Sequence, residues 1–272
     1  MSQKNNLFDL AGKNSGRLKA LYETCVSGAT KSGLATFADF VQQNGKISIH
    51  FRPAAMTGFL TTGRHLNAYE RAEMAAKGSG LTRKEELERH QGKYYAKRSG
   101  FDAAFESGED FRYGALNAGG MGARHYGEYC VVLKGEFPET AQEIAYIKDD
   151  SLSYVDSAGN VDVAQLEKNL AMASHKGQLA AIKHENEIPT SAEVGWPALL
   201  CSDTYIEAVF LQSPTPVAID RVRISVQDRR EYMRLAYKAR TTELDETERK
   251  RSRQYMEIRK LLQKKNILSE GV

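Results

Sequence analysis

Helical and extended patterns occupy separate stretches of this chain, and that segregation limits its fold more than any single motif does. Apolar and polar side chains alternate from Lys46 to Arg52, and Pro53 ends the run. Further strand patterns fall at Arg112–Asn117, Tyr126–Lys134, Ile144–Ile147, Ser153–Val155, Tyr205–Leu211 and Ala218–Val226. Helical spacing covers residues 66 to 106, Val163–Ile182 and Gln227–Leu268, the last with a break at Thr241-Thr242. Residues 7 to 43 predict two helices, with Leu18, Leu21, Tyr22 and Cys25 on one, Leu34, Phe37, Phe40 and Val41 on the other, and Gly28 and Gly33 between. No strand–helix–strand alternation runs through the chain, so the pattern predicts an α+β fold and argues against a parallel doubly wound sheet. It divides into an N-terminal helical cap (1–44), a core (45–226) and a charged helical extension (227–272).

With 272 residues, 41% of them hydrophobic and 27% charged, the chain is long enough for a sizeable core and too apolar for general disorder. No apolar run approaches the roughly 18 residues of a membrane helix, so no integral membrane association is expected. Residues 1–6 lack the apolar stretch of a secretory signal peptide, and three scattered cysteines (Cys25, Cys130, Cys201) make no disulfide framework. Both observations predict a cytoplasmic protein. The net charge of +3 is uneven: 13 Lys/Arg face 6 Asp/Glu between Arg229 and Lys265, which leaves −4 on the remainder. Such a basic segment suits an anionic partner or is simply a solvated helical face.

The common chemical signatures are missing. The sequence contains no P-loop, no Gly-x-Gly-x-x-Gly leading into a helix, no His-Glu-x-x-His, no Cys-x-x-Cys and no Gly-x-Ser-x-Gly. No metal site is expected. What remains is polar chemistry on otherwise apolar strands. His50 and Arg52 share a face of the first strand, Tyr113 and Asn117 precede a glycine turn (Gly119, Gly120, Gly122), and Tyr126 follows it. Glu207 interrupts an apolar strand, sharing a face with Tyr205 and Val209. A carboxylate there must face water or have a partner.

In order and spacing these segments resemble the catalytic core of mono-ADP-ribosyltransferases, bacterial toxins and effectors among them. The resemblance rests on Ile47–Pro53, Phe105–Gly108, Tyr113–Asn117 and Tyr205–Ala208 and spans residues 46 to 226. It implies a split antiparallel sheet with NAD+ as substrate in the cleft between its halves, and transfer of ADP-ribose to a macromolecule, a protein in the first instance. It also implies that Glu207 stabilises the positive charge that develops on ribose as nicotinamide departs. His50 or Arg52 would anchor ribose or diphosphate, Tyr113 or Tyr126 would stack on nicotinamide, and Asn117 sits with the NAD+-binding residues beside the glycine turn. Delivery into a target cell without a signal peptide fits such an effector. The sequence departs from the arginine-modifying pattern, because Tyr205 stands where the first Glu of Glu-x-Glu would be. A Ser-Thr-Ser strand motif is also missing. The alternatives are a nucleic-acid-binding protein acting through the C-terminal helices, and an inactive member of the same fold serving as an interaction module.

Overall fold

The computed structural model describes residues 4–27, 33–138, 143–241 and 243–272. Gly28 and Thr242, two of the expected helix breaks, lie outside them. Three helices open the chain rather than two: α1 (Leu7–Lys13), α2 (Ser15–Val26) and α3 (Leu34–Asn44). Asn14 separates the first two and ties them down, its side-chain amide donating to the Leu170 carbonyl at 2.7 Å. Strand β1 (Lys46–Phe51) follows, and Pro53 starts a helix as well as ending the strand. Its fixed φ and missing N–H suit the first turn of α4 (Pro53–Thr62). Helices α5 (Ala68–Ser79), α6 (Arg83–Gln91) and α7 (Tyr95–Ala104) lead to β2 (Arg112–Asn117) and β3 (Tyr129–Leu133). Asn67 and Thr82 begin α5 and α6 with capping boxes closed by Glu70 and Glu85.

After β4 (Ile144–Ile147) the chain departs from expectation again. The strand predicted at Ser153–Val155 is mostly a 3-10 turn over Ser151–Tyr154, initiated by the Asp150 side chain, with only Val155 bridged to Val161. The single helix predicted over Val163–Ile182 is α8 (Val163–Glu167), β5 (Leu170–Met172) and α9 (Lys176–Lys183). Sheet pairing of Leu170–Met172 with Ile147–Ala145 outweighs the helical spacing around it. A short α10 (Trp196–Leu199) precedes β6 (Glu207–Phe210), β7 (Ile219–Ile224), α11 (Val226–Thr241) and α12 (Glu246–Lys264). A strand that periodicity does not reveal, β8 (Leu268–Gly271), then pairs parallel to β7.

The result is a mixed α/β protein in which the eight strands among the described residues form one sheet in the order β5-β4-β6-β2-β1-β3-β7-β8, antiparallel except for β7 with β8. The sheet is continuous, unlike the split sheet of the expected architecture, but the ladder at its centre is short. Strand β1 pairs with β2 only over Lys46–Ser48 and with β3 over Ser48–Phe51. Ladder pairing between β1 and β2 stops before His50 and Tyr113. One face carries the main core: Ile47, Ile49, Phe51, Leu116, Tyr129, Val131, Ala208, Phe210 and Val222 pack with α3, α4, α9 and the C-terminal helices. Tyr232, Tyr255, Ile258 and Leu262 belong to this core, so the basic helices are built into the protein. The opposite face has its larger apolar cluster at one end, where Ala145, Ile147, Leu170 and Val209 meet α1, Phe101, Phe105 and Phe111. Its remainder mixes polar side chains with Ala115 and Val132. Among the described residues no helix is long and apolar enough to cross a membrane.

Candidate functional site

Strand alternation puts Glu207, Tyr113, Ser48, His50, Cys130 and Arg223 on that second face. Glu207 pairs with Ala115 of β2 on one side and Ile147 of β4 on the other, so it lies inside the sheet. It is 2% exposed. Its Oε2 accepts the Ser151 N–H at 2.8 Å, and its Oε1 lies 3.6 Å from the Arg98 guanidinium. Burial pushes the carboxyl up to about 7; Arg98 and Ser151 pull it back, while Asp150 adds to the rise. Near neutrality it can therefore exist in either protonation state.

Arg98 is the residue that sequence reading misses. It projects from α7 and donates to Ser151 Oγ at 3.0 Å, and its guanidinium carbon sits 3.8 Å from the centre of the Tyr113 ring. Tyr113 in turn donates its hydroxyl to Asp102, a buried acid pushed up to about 6 mainly by loss of water. Glu207, Arg98, Tyr113 and Asp102 thus form one chain of contacts, and Arg98 with the Ser151 turn covers the Glu207 carboxylate. Only one arginine in a charged helical stretch, 109 positions before Glu207, carries this signal. Phe105–Gly108 is the turn that closes α7. An added Cβ on Gly108 would meet the Asp102 carbonyl, which explains the glycine without a ligand.

Beside Glu207 on the other flank, the Tyr126 and Tyr205 hydroxyls hydrogen bond at 2.9 Å, and His125 lies over Tyr126 with ring centres 4.1 Å apart. Tyr126 is half exposed while Tyr205 is buried. Strands about 4.8 Å apart put Glu207 and Ser48 about 10 Å from each other across β2. His50 lies further along β1; its Nδ1–H donates to the Gly127 carbonyl at 2.8 Å, and burial lowers its pKa, so the ring is neutral at pH 7. Arg52, one residue beyond β1, is exposed and forms no ion pair among the described residues.

Asn117 stands at the start of the glycine loop and bonds to it. Its Oδ1 accepts from the N–H groups of Gly119 and Gly120 at 3.0 and 2.9 Å, and its Nδ2 donates to the Gly120 carbonyl, so the amide is used in shaping the loop. That loop lies directly on the site. Gly122 has φ +68°, and a Cβ there would come within 2.6 Å of His50 Nε2 and 2.9 Å of Ser48 Oγ. Gly122→Ala is expected to lower unfolding free energy by about 1–3 kcal/mol, through left-handed strain and displacement of His50, in urea titrations.

No group of three or more His, Cys, Asp or Glu side chains suited to a metal ion occurs among the described residues, and no disulfide joins the cysteines. The basic segment carries its own ion pairs, Arg234 with Glu231, Lys238 with Glu248 and Arg249 with Glu243, and Arg251 of α12 reaches Glu128 just before β3. No protein-family model, curated protein or solved structure matches the chain.

Proposed function

We propose that the protein is an NAD+-dependent mono-ADP-ribosyltransferase that transfers ADP-ribose to a macromolecular acceptor, a protein in the first instance. One observation carries the reading. Glu207 is a carboxylate fixed inside an antiparallel sheet, near the end of the β1–β2 ladder, on the face shared with Tyr113 and His50, with Tyr126 joined to Tyr205 beside it. Such a group suits a reaction whose transition state gathers positive charge at a sugar carbon. The surrounding residues suit NAD+ as substrate: Arg52 is an exposed cation with no ion pair among the described residues, the Gly119–Gly122 loop lets backbone approach closely, and Tyr126 offers a half-exposed ring.

In the mechanism, the bond between ribose C1′ and the nicotinamide nitrogen breaks, and nicotinamide leaves as a neutral base with the bonding electrons. Glu207, ionised, stabilises the ribosyl cation and holds a ribose hydroxyl. An acceptor nucleophile then bonds to C1′ and releases its proton to water. Arg98 and the Ser151 turn must yield for the sugar to reach Glu207, because they cover it. The sign of the pH dependence follows from the carboxyl value near 7. Below it Glu207 is protonated and cannot balance the cation, so turnover should rise up to tenfold per pH unit and level off above about 7. Nicotinamide release from NAD+, with and without a cell lysate, measured between pH 5 and 9, tests both parts. Absence of NAD+ consumption at every pH would remove the proposal, and a flat profile would remove Glu207 from the rate.

A further inference from the structure

Helix α11 buries Tyr232 and Leu235 and leaves its other side open. Val226, Arg229, Arg230, Met233, Tyr237 and Arg240 recur at three- and four-residue spacing, which aligns them on one face. Val226 is 44% exposed, Met233 53% and Tyr237 71%. Arg229, Arg230 and Arg240 are exposed and form no ion pair among the described residues. The two carboxylates of the helix lie off this face and are engaged elsewhere: Asp228 binds Arg124 and Ser225, and Glu231 binds Arg234. A depression of about 840 Å³ borders the face; Arg230, Arg234 and Arg251 line it together with Asp228 and Glu231, the two carboxylates already held by arginines.

We propose that this face docks an acidic, amphipathic segment of a partner protein. Apolar side chains of the partner would cover Met233 and Tyr237, and its carboxylates would meet Arg229, Arg230 and Arg240. The composition favours protein over other anions. Arg, Tyr and Met are the residues enriched in protein interfaces, whereas Lys is depleted there, and none lies on this face. A single-strand nucleic-acid platform needs successive aromatic rings, and here one tyrosine stands beside methionine and valine. In a membrane-surface helix the basic and apolar residues lie on opposite sides, whereas here Arg229, Arg230 and Arg240 share one side with Met233 and Tyr237. From Val226 to Arg240 the face runs about 21 Å at 1.5 Å per residue, matching a partner helix of about four turns. The docking face stands apart from NAD+ turnover and can be tested without it.

The test uses the full chain and fluorescence anisotropy with three labelled probes: a 20-residue helical peptide of Glu and Leu, its Lys-for-Glu counterpart, and a 20-nucleotide oligothymidylate. The acidic peptide should bind, the basic one should not, and the oligonucleotide should bind more weakly than the acidic peptide. Arg230→Glu with Arg240→Glu, and separately Tyr237→Ser, should each weaken the acidic peptide at least tenfold; circular dichroism verifies that both variants are folded. Failure of the acidic peptide to bind, or equal binding by folded variants, overturns the proposal. Oligonucleotide binding as tight as the peptide's, lost in the same variants, overturns it in favour of nucleic acid.

Discussion

Glu207→Gln is expected to lower nicotinamide release from NAD+ by about 10²–10³-fold while leaving the protein folded. Glutamine has the same shape, and its side-chain oxygen can still accept the Ser151 N–H that now binds Oε2 at 2.8 Å. Only the negative charge is lost, and charge is what a ribosyl cation requires. The protonated form of Glu207 already resembles glutamine, so the sheet tolerates a neutral group at this position. NAD+ affinity should change only a few-fold, because the groups proposed for diphosphate and ring contact, Arg52 and Tyr126, are untouched. Steady-state turnover and isothermal titration with NAD+ separate the two quantities. Turnover within threefold of wild type in the Gln variant would show that the carboxylate has no part in bond cleavage.

Arg98→Met should give the largest change in stability, and its size should depend on pH. The Arg98 guanidinium lies 3.6 Å from the buried Glu207 carboxylate, and removing one member of a buried pair leaves the other uncompensated. The expected cost is about 3–5 kcal/mol at pH 8. Glu207 already has a folded-state value near 7, raised above the ordinary 4.5, so its contribution favours the folded state below 4.5 and is lost as pH rises through about 7. Removing Arg98 pushes the carboxyl higher still. The variant therefore pays its full cost where Glu207 is ionised and much less at pH 5, where the folded protein holds it protonated. Urea unfolding of both proteins at pH 5 and pH 8 measures the difference; an equal loss at the two values would mean that Arg98 acts through packing on Tyr113 and not through Glu207.

Much of the sheet was legible because its strands carry either strict alternation or unbroken apolar runs. Lys46–Phe51 shows the first pattern, and Tyr129–Leu133 shows the second, as expected of a strand covered by neighbours on both sides. Strand β5 was not legible, since three residues between two short helices continue a helical spacing and only their partners in β4 make them a strand. Strand β8 carries Ser269 and Glu270 and is defined by its ladder to β7 and the Glu270–Arg223 ion pair at 2.6 Å. Glu207 was visible at the candidate site as a charge set among apolar neighbours. Its partner Arg98 was not, because a helical arginine in a charged stretch looks like any solvated side chain until the fold brings α7 over the sheet. Asn117 stands out in the sequence by its place beside three glycines, and its hydrogen bonds hold that turn.

Strand β8 also bears on self-association. It occupies the edge of β7 over Arg221–Ile224, and the Val226 N–H and Ile224 carbonyl are satisfied by Val272. A chain cut after Lys265 would retain the helices but bare a row of amide and carbonyl groups on β7, an open template for a strand from another copy. Such a shortened protein should form dimers or larger aggregates as its concentration rises, while the full chain, with that edge occupied, is guarded against this route.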